Sequence, residues 1–374
     1  MKKTLFVIAL LIGPVLFAQE EGESPSWLEG FTLSGSIDAY YRLNLNSLNK
    51  STDPSGGGDF VAPGTSFANR PGFSLGMANA ILSYEKGSVG AVADLVFGPR
   101  GADAVFNSTG SSNIVNQLYV YWNVSDKVKL TFGNWNTFLG YEVISPSANF
   151  NYSTSYMFSY GPFSHTGLKA DFTLDDNWSA MLAVMNPTDY TEYNPFGSYS
   201  FGAQLGYSTD GGSTYLNFLY GDQDGDYEDL GADENLGSTF QVDLTTGYNL
   251  TDAFYLGLNA TYNSTPYPDG ATYDDIGFYG VALYAQYALS DTFKLGVRPE
   301  YFSEFGELGA IGAVDANGDE DVFAITLSGN ATVGPLTFIP ELRLDSASDD
   351  AFLDNDLNGQ KSLSSFLLAA VYSF

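Results

Sequence analysis

The stretch Phe31-Thr-Leu-Ser-Gly-Ser-Ile-Asp-Ala-Tyr-Tyr-Arg-Leu-Asn-Leu45 alternates between apolar and polar residues. Its odd positions are mostly apolar, whereas its even positions carry Thr, Ser, Asp, Arg and Asn. Since successive side chains of a strand point to opposite faces, this segment predicts a strand with one apolar and one polar face. Strands of soluble sheets average about five or six residues, so a run of this length suits a tilted strand that crosses a bilayer.

The same alternation recurs along the chain and is interrupted by polar segments. It predicts sixteen strands, at 31–45, 73–85, 89–98, 114–124, 128–139, 156–174, 178–185, 198–208, 213–220, 238–250, 254–262, 276–289, 293–302, 321–333, 336–344 and 362–374. An even number of alternating strands is typical of a bacterial membrane barrel, in which lipid-facing and lumen-facing side chains alternate.

The segments between the predicted strands alternate in length. Short ones, such as Asp175-Asp-Asn177 and Thr209-Asp-Gly-Gly212, are rich in the residues that tight turns require. Long polar ones, such as 46–72 and 140–155, lie between them. We therefore expect an all-β fold, a transmembrane antiparallel up-and-down β-barrel of about 16 strands, with short periplasmic turns and long extracellular loops. A barrel of this width is expected to hold water in its lumen.

Composition agrees with this fold. The chain has a net charge of −30, so binding to nucleic acid is not expected. It has no cysteine, 26 Tyr and 28 Phe, and aromatic residues are typical of the interfacial girdles of a membrane barrel. Lys2, Lys3 and the apolar run up to Ala18 predict a signal peptide at residues 1–18. Residues 19–374 are then expected to form one barrel domain in the lipid of the outer membrane of a Gram-negative bacterium.

The polar faces of the predicted strands carry charged residues of both signs. Charged side chains are costly towards lipid, so we expect them to line the pore. The expected pore-lining residues are Asp38, Arg42, Asp94, Lys129, Lys169, Asp171, Asp243, Lys294, Arg298, Glu300, Glu341 and Arg343. Two interpretations stay open: the charges orient solutes in the lumen, or they pair along the wall, Arg298 with Glu300 and Glu341 with Arg343.

The third long loop, 140–165, has a composition suited to a polar constriction. It contains Tyr141, Glu142, Asn149, Asn151 and His165. These side chains would narrow the pore where the loop folds into the lumen. The alternative is that residues 152–160 extend the sixth strand above the membrane.

Two acidic loop segments have oxygen-bearing side chains at every second position, which is the spacing of calcium-binding loops. The first contains Asp222, Asp224 and Asp226, and the second contains Asp315, Asn317 and Asp319. Neither segment has the downstream glutamate of a complete EF-hand loop. Bound Ca²⁺ and a solvated acidic loop therefore stay alternatives, and no other cofactor is expected.

The sequence contains little of the chemistry that an enzyme requires. His165 is the single histidine, so a Ser-His-Asp hydrolase would have to use it. No glycine-rich phosphate loop follows a strand and opens a helix. We therefore do not expect an enzyme.

A family resemblance is carried by residues 132–186. This part contains GNWNTFLGYE at 133–142, NFNYS at 149–153, GPFSHTGL at 161–168 and VMN at 184–186. These segments resemble the OmpL-like β-barrel porins, which are common in the Bacteroidota. The resemblance implies a pore-forming outer-membrane protein, and it supplies no catalytic or ligand-binding residues.

The expected function is passive diffusion of small hydrophilic solutes through a water-filled channel. The alternative is a narrow or closed barrel that acts through its extracellular loops, as an adhesin or as a subunit of an envelope complex. Tyr372 and Phe374 share one face, which resembles the C-terminal signal read by the barrel-assembly machinery, an expected partner during biogenesis. Homo-oligomers and lipid-exposed monomers both fit the apolar outer faces.

Overall fold

The computed structural model describes residues 29–53, 55, 60–225, 236–313, 315 and 317–374, so the expected signal peptide lies outside the described residues. In chain order the strands are β1 (Phe31–Asn44), β2 (Gly72–Lys86), β3 (Val89–Phe97), β4 (Val115–Ser125), β5 (Val128–Asn136), β6 (Ser164–Thr173), β7 (Trp178–Met185), β8 (Ser200–Thr209), β9 (Gly212–Gly221), β10 (Thr239–Asn249), β11 (Phe254–Pro266), β12 (Asp275–Ser290), β13 (Phe293–Phe305), β14 (Glu320–Val333), β15 (Leu336–Ala347), β16 (Phe352–Leu353), β17 (Gly359–Gln360) and β18 (Ser362–Ser373).

Sixteen of the described strands form one closed antiparallel barrel, which confirms the predicted fold. The exceptions are β16 and β17, which form a small ribbon in the last long loop. β1 closes the barrel because it pairs with both β2 and β18. The amides of Gly35 and Phe374 each donate to the other residue's carbonyl oxygen at 3.0 Å. A closed barrel has no sheet edge, so the backbone hydrogen bonds that lipid cannot provide are made between strands.

The two faces of the barrel wall differ as the alternation predicts. In β1, Leu33 and Ile37 point outward and are 52% and 55% exposed, whereas Ser36 and Asp38 point inward and are 0% and 5% exposed. Phe73, at the start of β2, is 91% exposed on the outside. The outer surface is therefore suited to hydrocarbon, where apolar side chains cost nothing and charged ones are expensive.

Short turns join the strands at one end of the barrel, and eight longer connections join them at the other. The short-turn end corresponds to the periplasm in barrels of this type. We name three of the long connections L1 (45–71), L3 (137–163) and L4 (186–199).

The described helices are short and lie in loops. α1 (Pro99–Ala104) follows β3, and α2 (Tyr156–Tyr160) lies within L3. Single 3₁₀ turns span Gly110–Ile114 and Pro146–Ala148. None of the described helices is long and apolar enough to cross a membrane.

The predicted start of the sixth strand at residue 156 is wrong, because β6 begins at Ser164. Residues 156–160 form α2 instead, and the side chain of its N-cap residue, Ser155, accepts a hydrogen bond from the amide of Phe158. Gly161 and Pro162 separate α2 from β6, and proline has no amide hydrogen for a strand ladder. The alternative that 152–160 extends this strand above the membrane is therefore also wrong.

The interior of the barrel is packed at the level of L3. One buried cluster joins α2 to the wall and includes Tyr156, Phe278 and Phe302. A second cluster joins L1 to L3 and includes Phe67 and Phe158. The lumen at this height is therefore occupied by the chain itself.

Candidate functional site

L3 enters the barrel and crosses its lumen. Near its start, the amide of Gly140 donates to Oδ1 of Asp243 on β10 at 2.9 Å. Further along, Nδ2 of Asn151 donates to Oγ of Ser328 on β14 at 2.7 Å. These partners are 103 and 177 positions apart in the sequence. L3 therefore contacts inward-facing wall residues from distant strands.

Two wall carboxylates bind the backbone of L3. Oε1 and Oε2 of Glu341, on β15, accept hydrogen bonds from the amides of Tyr152 and Ser153 at 2.8 and 2.9 Å. The carboxylate of Glu300, on β13, accepts from the first two amides of α2 at 3.1 and 3.0 Å. Hydrogen bonds to charged acceptors are stronger than neutral ones. They fix the path of L3 through its backbone, whatever side chains the loop carries.

Arg298, on β13, is fully buried and binds L3 at two points. Its Nη1 donates to Oε1 of Glu142 and to the carbonyl oxygen of Ser153, the latter at 2.7 Å. Its Nη2 donates to Oγ1 of Thr326 at 3.2 Å. Oε2 of Glu142 accepts from the amide of Ser155 at 2.7 Å. Both charges thus have further hydrogen bonds, which a buried ion pair needs to offset its desolvation.

Arg343, on β15, provides a second cationic contact to L3. Its Nη1 donates to the carbonyl oxygen of Thr154 at 2.7 Å, and its Nη2 pairs with Oδ1 of Asp345 at 2.7 Å. The expected pairing of the two arginines with Glu300 and Glu341 is therefore wrong. Those carboxylates accept amide hydrogens of L3, because the loop lies closer to them than the neighbouring guanidinium groups do.

Tyrosines anchor the first part of L3. The hydroxyl groups of Tyr141 and Tyr255 are 2.6 Å apart, so one donates to the other. The ring of Tyr141 also stacks on the ring of Tyr284, with centroids 3.9 Å apart and planes inclined by 17°. Aromatic pairs in this geometry contribute more stabilisation than their buried area alone provides. These contacts therefore stabilise the inward path of L3.

Tyr152 connects L3 to β1, the first strand of the barrel wall. Its hydroxyl donates to Oδ2 of Asp38 on β1. Gly76, on β2, lies against this pair, and a Cβ at this position would collide with the Asp38 carboxylate. Arg100, in α1, donates to the carbonyl oxygens of Ile144 and Tyr152 at 2.8 and 3.1 Å. L3 is thus held from several sides.

The charged residues predicted for the polar faces all lie on the inward face of their strands. Eight of them are at most 5% exposed: Asp38, Arg42, Asp94, Asp243, Arg298, Glu300, Glu341 and Arg343. The expectation that these eight face pore water is therefore wrong, since loops and neighbouring amides cover them. Lys129, Lys169, Asp171 and Lys294 retain exposed surface.

Two of the expected constriction residues have local roles. Oδ1 of Asn149 accepts from the amide of Val143 at 3.0 Å and closes a turn within L3. His165 lies at the start of β6, is 1% exposed, and has its Nε2 3.0 Å from Oγ1 of Thr137. Neither side chain reaches the far wall, in contrast to the other three expected residues of the loop.

The acidic loop segments bind their own backbone. Oδ1 of Asp315 accepts from the amides of Asn317 and Asp319 at 2.7 and 3.1 Å. Oδ1 of Asp222 accepts from the amides of Asp224 and Gly225 at 3.1 and 2.8 Å. Asp226 lies outside the described residues. The described residues contain no group of three or more His, Cys, Asp or Glu side chains that could hold a metal ion. The calcium site stays a prediction.

Several residues of this network were missed from the sequence. Asp345 continues the inward alternation of Glu341 and Arg343 by two positions, so the period-two pattern contained the signal. Phe278 and Phe302 point inward although they are apolar. The loss of alternation around Gly277–Ala285 could have revealed Phe278, which lies in that part of β12. No pattern in the sequence indicates that Arg100 contacts L3.

A polar cavity lies between L3 and the short-turn end of the barrel. Its volume is about 680 Å³, and its lining includes Tyr141, Tyr215, Thr246, Lys294 and Asn330. We name this cavity the vestibule. Its lining residues come from L3 and from the wall near the short turns. L3 therefore forms the boundary between the vestibule and the packed half of the lumen.

L4 holds the end of L3 from the outer side. Oδ1 of Asp189 accepts from the amides of Phe163 and Ser164 at 2.7 and 2.8 Å. Burial raises the pKa of Asp189 to about 6, and the two amide hydrogen bonds oppose this increase. The contact between L4 and L3 therefore contains a carboxyl group that titrates near neutral pH.

Solved structures with the same fold are outer-membrane barrels. An anion-selective porin from Comamonas acidovorans aligns with a TM-score of 0.63 and 12% identity, covering 92% of this chain and 99% of that one. A loop L8 deletion mutant of OmpT from Vibrio cholerae aligns with a TM-score of 0.57 and 12% identity, covering 92% of this chain and 99% of that one. DcaP of Acinetobacter baumannii, an outer membrane channel, aligns with a TM-score of 0.55 and 14% identity, covering 92% of this chain and 97% of that one. At such low identity these likenesses show the fold alone.

The family is shown by sequence. No curated protein matches this chain, but the profile of the family described as "Putative beta-barrel porin-2, OmpL-like" matches residues 30–374. That range covers every strand of the closed barrel. The protein is located in the outer membrane, and the chain belongs to the OmpL-like family of β-barrel porins.

Proposed function

We propose that this porin mediates passive diffusion of small hydrophilic solutes and that L3 is its constriction. The observation that carries this proposal is the vestibule, a polar cavity of about 680 Å³ that L3 bounds inside a closed barrel. Hydroxyl and amide groups dominate its lining, so it is suited to water and small polar solutes. L3 fills the lumen above it, so the conductance of a single barrel is expected to be small.

The test is conductance across a planar lipid bilayer. The purified full chain is expected to give small ohmic steps, and replacing residues 145–150 with two glycines is expected to increase the step size severalfold. The matched control removes residues 268–271 from the loop between β11 and β12, which has no hydrogen bond to L3 among the described residues. The absence of conductance in the wild type would contradict the proposal.

A closed barrel that acts through its loops is the second candidate function. The observation that favours it is the buried packing of L1 and L3, in which Phe67 and Phe158 belong to one cluster. On this hypothesis L3 never leaves the lumen, so the wild type does not conduct and only the shortened L3 variant does. The bilayer measurement therefore separates the two candidates.

We assign no catalytic step to the buried carboxylates. Glu300 and Glu341 each accept two amide hydrogens from L3, and Glu142 is bonded to Arg298. Their oxygen atoms thus have partners that hold the loop, which supports a structural role for them.

We also propose that the barrel assembles into homo-oligomers. OmpT of Vibrio cholerae, which shares the fold, is described in a trimer form, and this supports the proposal by analogy. Light scattering of the detergent-solubilised protein would measure the mass of the assembly. A mass of one chain at all protein concentrations would contradict it.

A further inference from the structure

Aromatic faces and hydroxyl groups share the lining of the vestibule. Four tyrosines line it, namely Tyr141, Tyr215, Tyr255 and Tyr284. Between them lie threonine, serine, asparagine and glutamine side chains from β8 to β15 and from L3. Hydroxyl groups both donate and accept hydrogen bonds. The surface therefore matches a solute that has apolar C–H faces and many hydroxyl groups of its own.

The vestibule carries little net charge although the whole chain carries −30. Its described lining contains three charged residues, Glu142, Asp291 and Lys294. The charge of Glu142 is already compensated by Arg298. This leaves one acid and one base, so neither anions nor cations gain a strong electrostatic preference for the cavity.

One lining group has a free hydrogen-bonding position. Nδ2 of Asn330 donates to the carbonyl oxygen of Phe150 at 3.1 Å. Oδ1 of Asn330 is buried and has no donor within hydrogen-bonding distance among the described residues. A buried acceptor without a partner is costly, so a small rotation of this amide towards the vestibule, where its oxygen would accept from a solute hydroxyl, is favoured.

We propose that the vestibule is a binding subsite for neutral polyhydroxylated solutes of the size of a disaccharide or trisaccharide. The inference deepens the proposed pore function and rests on it for the route by which the solute arrives. The cavity of about 680 Å³ lies within the range of typical small-molecule sites. The tyrosine faces hold the rings of the solute, and the amide and hydroxyl groups bind its hydroxyls.

Calorimetry of the folded full chain in detergent tests the subsite directly. The probe is raffinose, a neutral trisaccharide, and gluconate and glucosamine serve as anionic and cationic comparators. Raffinose is expected to bind more tightly than either. Tyr215→Ala removes one aromatic face and is expected to weaken raffinose about fivefold. Tyr193→Ala, in L4, removes a tyrosine outside the vestibule and is expected to leave the affinity unchanged.

A second variant protects the test against misfolding. Asn330→Leu keeps the side-chain volume and removes both the free acceptor and the donor to Phe150. It is expected to weaken raffinose binding, and channel steps in a bilayer show that the variant is folded. Absence of raffinose binding to a wild-type protein that conducts would overturn the subsite and leave the pore intact. Raffinose binding to a protein that never conducts would support the subsite and contradict the pore. Equal affinity in wild type, Tyr215→Ala and Asn330→Leu would also overturn the subsite.

Discussion

Arg298 of the barrel wall donates a hydrogen bond to Glu142 of L3, and their side chains are 0% and 3% exposed. The two residues are 156 positions apart in the sequence. The pair lies where the carbonyl oxygen of Ser153 and the amide of Ser155 also converge, so one ion pair joins two segments of the loop. The position of L3 in the lumen depends on this relationship.

Breaking that pair should destabilise the barrel interior. Arg298→Gln leaves the Glu142 carboxylate buried without its cation, and the free energy of unfolding is expected to fall by about 3–5 kcal/mol. Urea titration in detergent measures it. The control is Lys361→Gln, which breaks an exposed pair with Asp349 and is expected to cost below about 1 kcal/mol. Equal losses in the two variants would contradict the assigned role, whereas the double variant Arg298→Met, Glu142→Leu should recover much of the stability.

The carboxylate of Glu341 is expected to protect the backbone of L3 from solvent exchange. Glu341→Gln replaces one acceptor oxygen with an NH₂ group, which cannot accept the amide hydrogen of Tyr152 or Ser153. Exchange at these two amides should accelerate about tenfold, which corresponds to about 1.4 kcal/mol. Hydrogen–deuterium exchange with mass spectrometry measures these rates. Asp171→Asn, at an exposed inward position, is the control, and unchanged exchange in Glu341→Gln would count against the role.

The contact between L4 and L3 should depend on pH through Asp189. Burial raises the pKa of its carboxyl group from 3.8 to about 6. Its contribution to the free energy of unfolding is therefore fully present below pH 3.8 and is lost as the pH rises through about 6. The loss amounts to at most about 3 kcal/mol. Asp189→Asn keeps the acceptor oxygen without the charge, so its melting temperature should fall less than that of the wild type between pH 4 and pH 7. Parallel pH profiles of the two proteins would refute the assignment.

Ion selectivity should depend on the exposed cation of the vestibule. Lys294→Gln removes a unit charge in water-accessible surroundings, and the cation-to-anion permeability ratio is expected to rise about twofold. Arg42→Gln removes a buried charge outside the vestibule and should leave the ratio unchanged. Reversal potentials in a salt gradient give both ratios. A larger shift in Arg42→Gln than in Lys294→Gln would show that the open path runs elsewhere.

The acidic loops allow a direct test for calcium. Oδ1 of Asp315 is occupied by two backbone amides, which a cation would have to displace. Binding at this segment predicts an increase of the melting temperature with millimolar CaCl₂ that is absent with MgCl₂, since Mg²⁺ loses its water reluctantly. Asp315→Asn should abolish the increase. No difference between the two salts would favour a solvated acidic loop.

The strands could be predicted from the sequence because the alternation that defines them is a local pattern. In β13 the inward residues Arg298, Glu300 and Glu304 alternate with outward apolar positions, and lipid on one side enforces that alternation. The same reasoning places Asp38 and Arg42 on the inner face of β1. Strand positions and side-chain faces could therefore be predicted without any tertiary information.

The candidate site was only partly readable. The pattern places Glu142 in a loop and Arg298 on an inner face, but it does not say that they meet. It also does not indicate that the amides of Tyr152 and Ser153 donate to the carboxylate of Glu341. Every non-proline residue has a backbone amide, so a side-chain pattern cannot show which amides a carboxylate binds. The expected pairs between wall neighbours were wrong for this reason.

By itself, the sequence determined a closed barrel of sixteen strands, its lipid face and the end at which the long loops lie. These follow from a period of two residues and from turn residues, which act over a few positions. Only the tertiary structure decided that L3 fills the lumen and that Glu300, Glu341 and Arg343 hold it there. Closure of the barrel brings these distant residues together, and burial then makes each charge require a partner that no local pattern records.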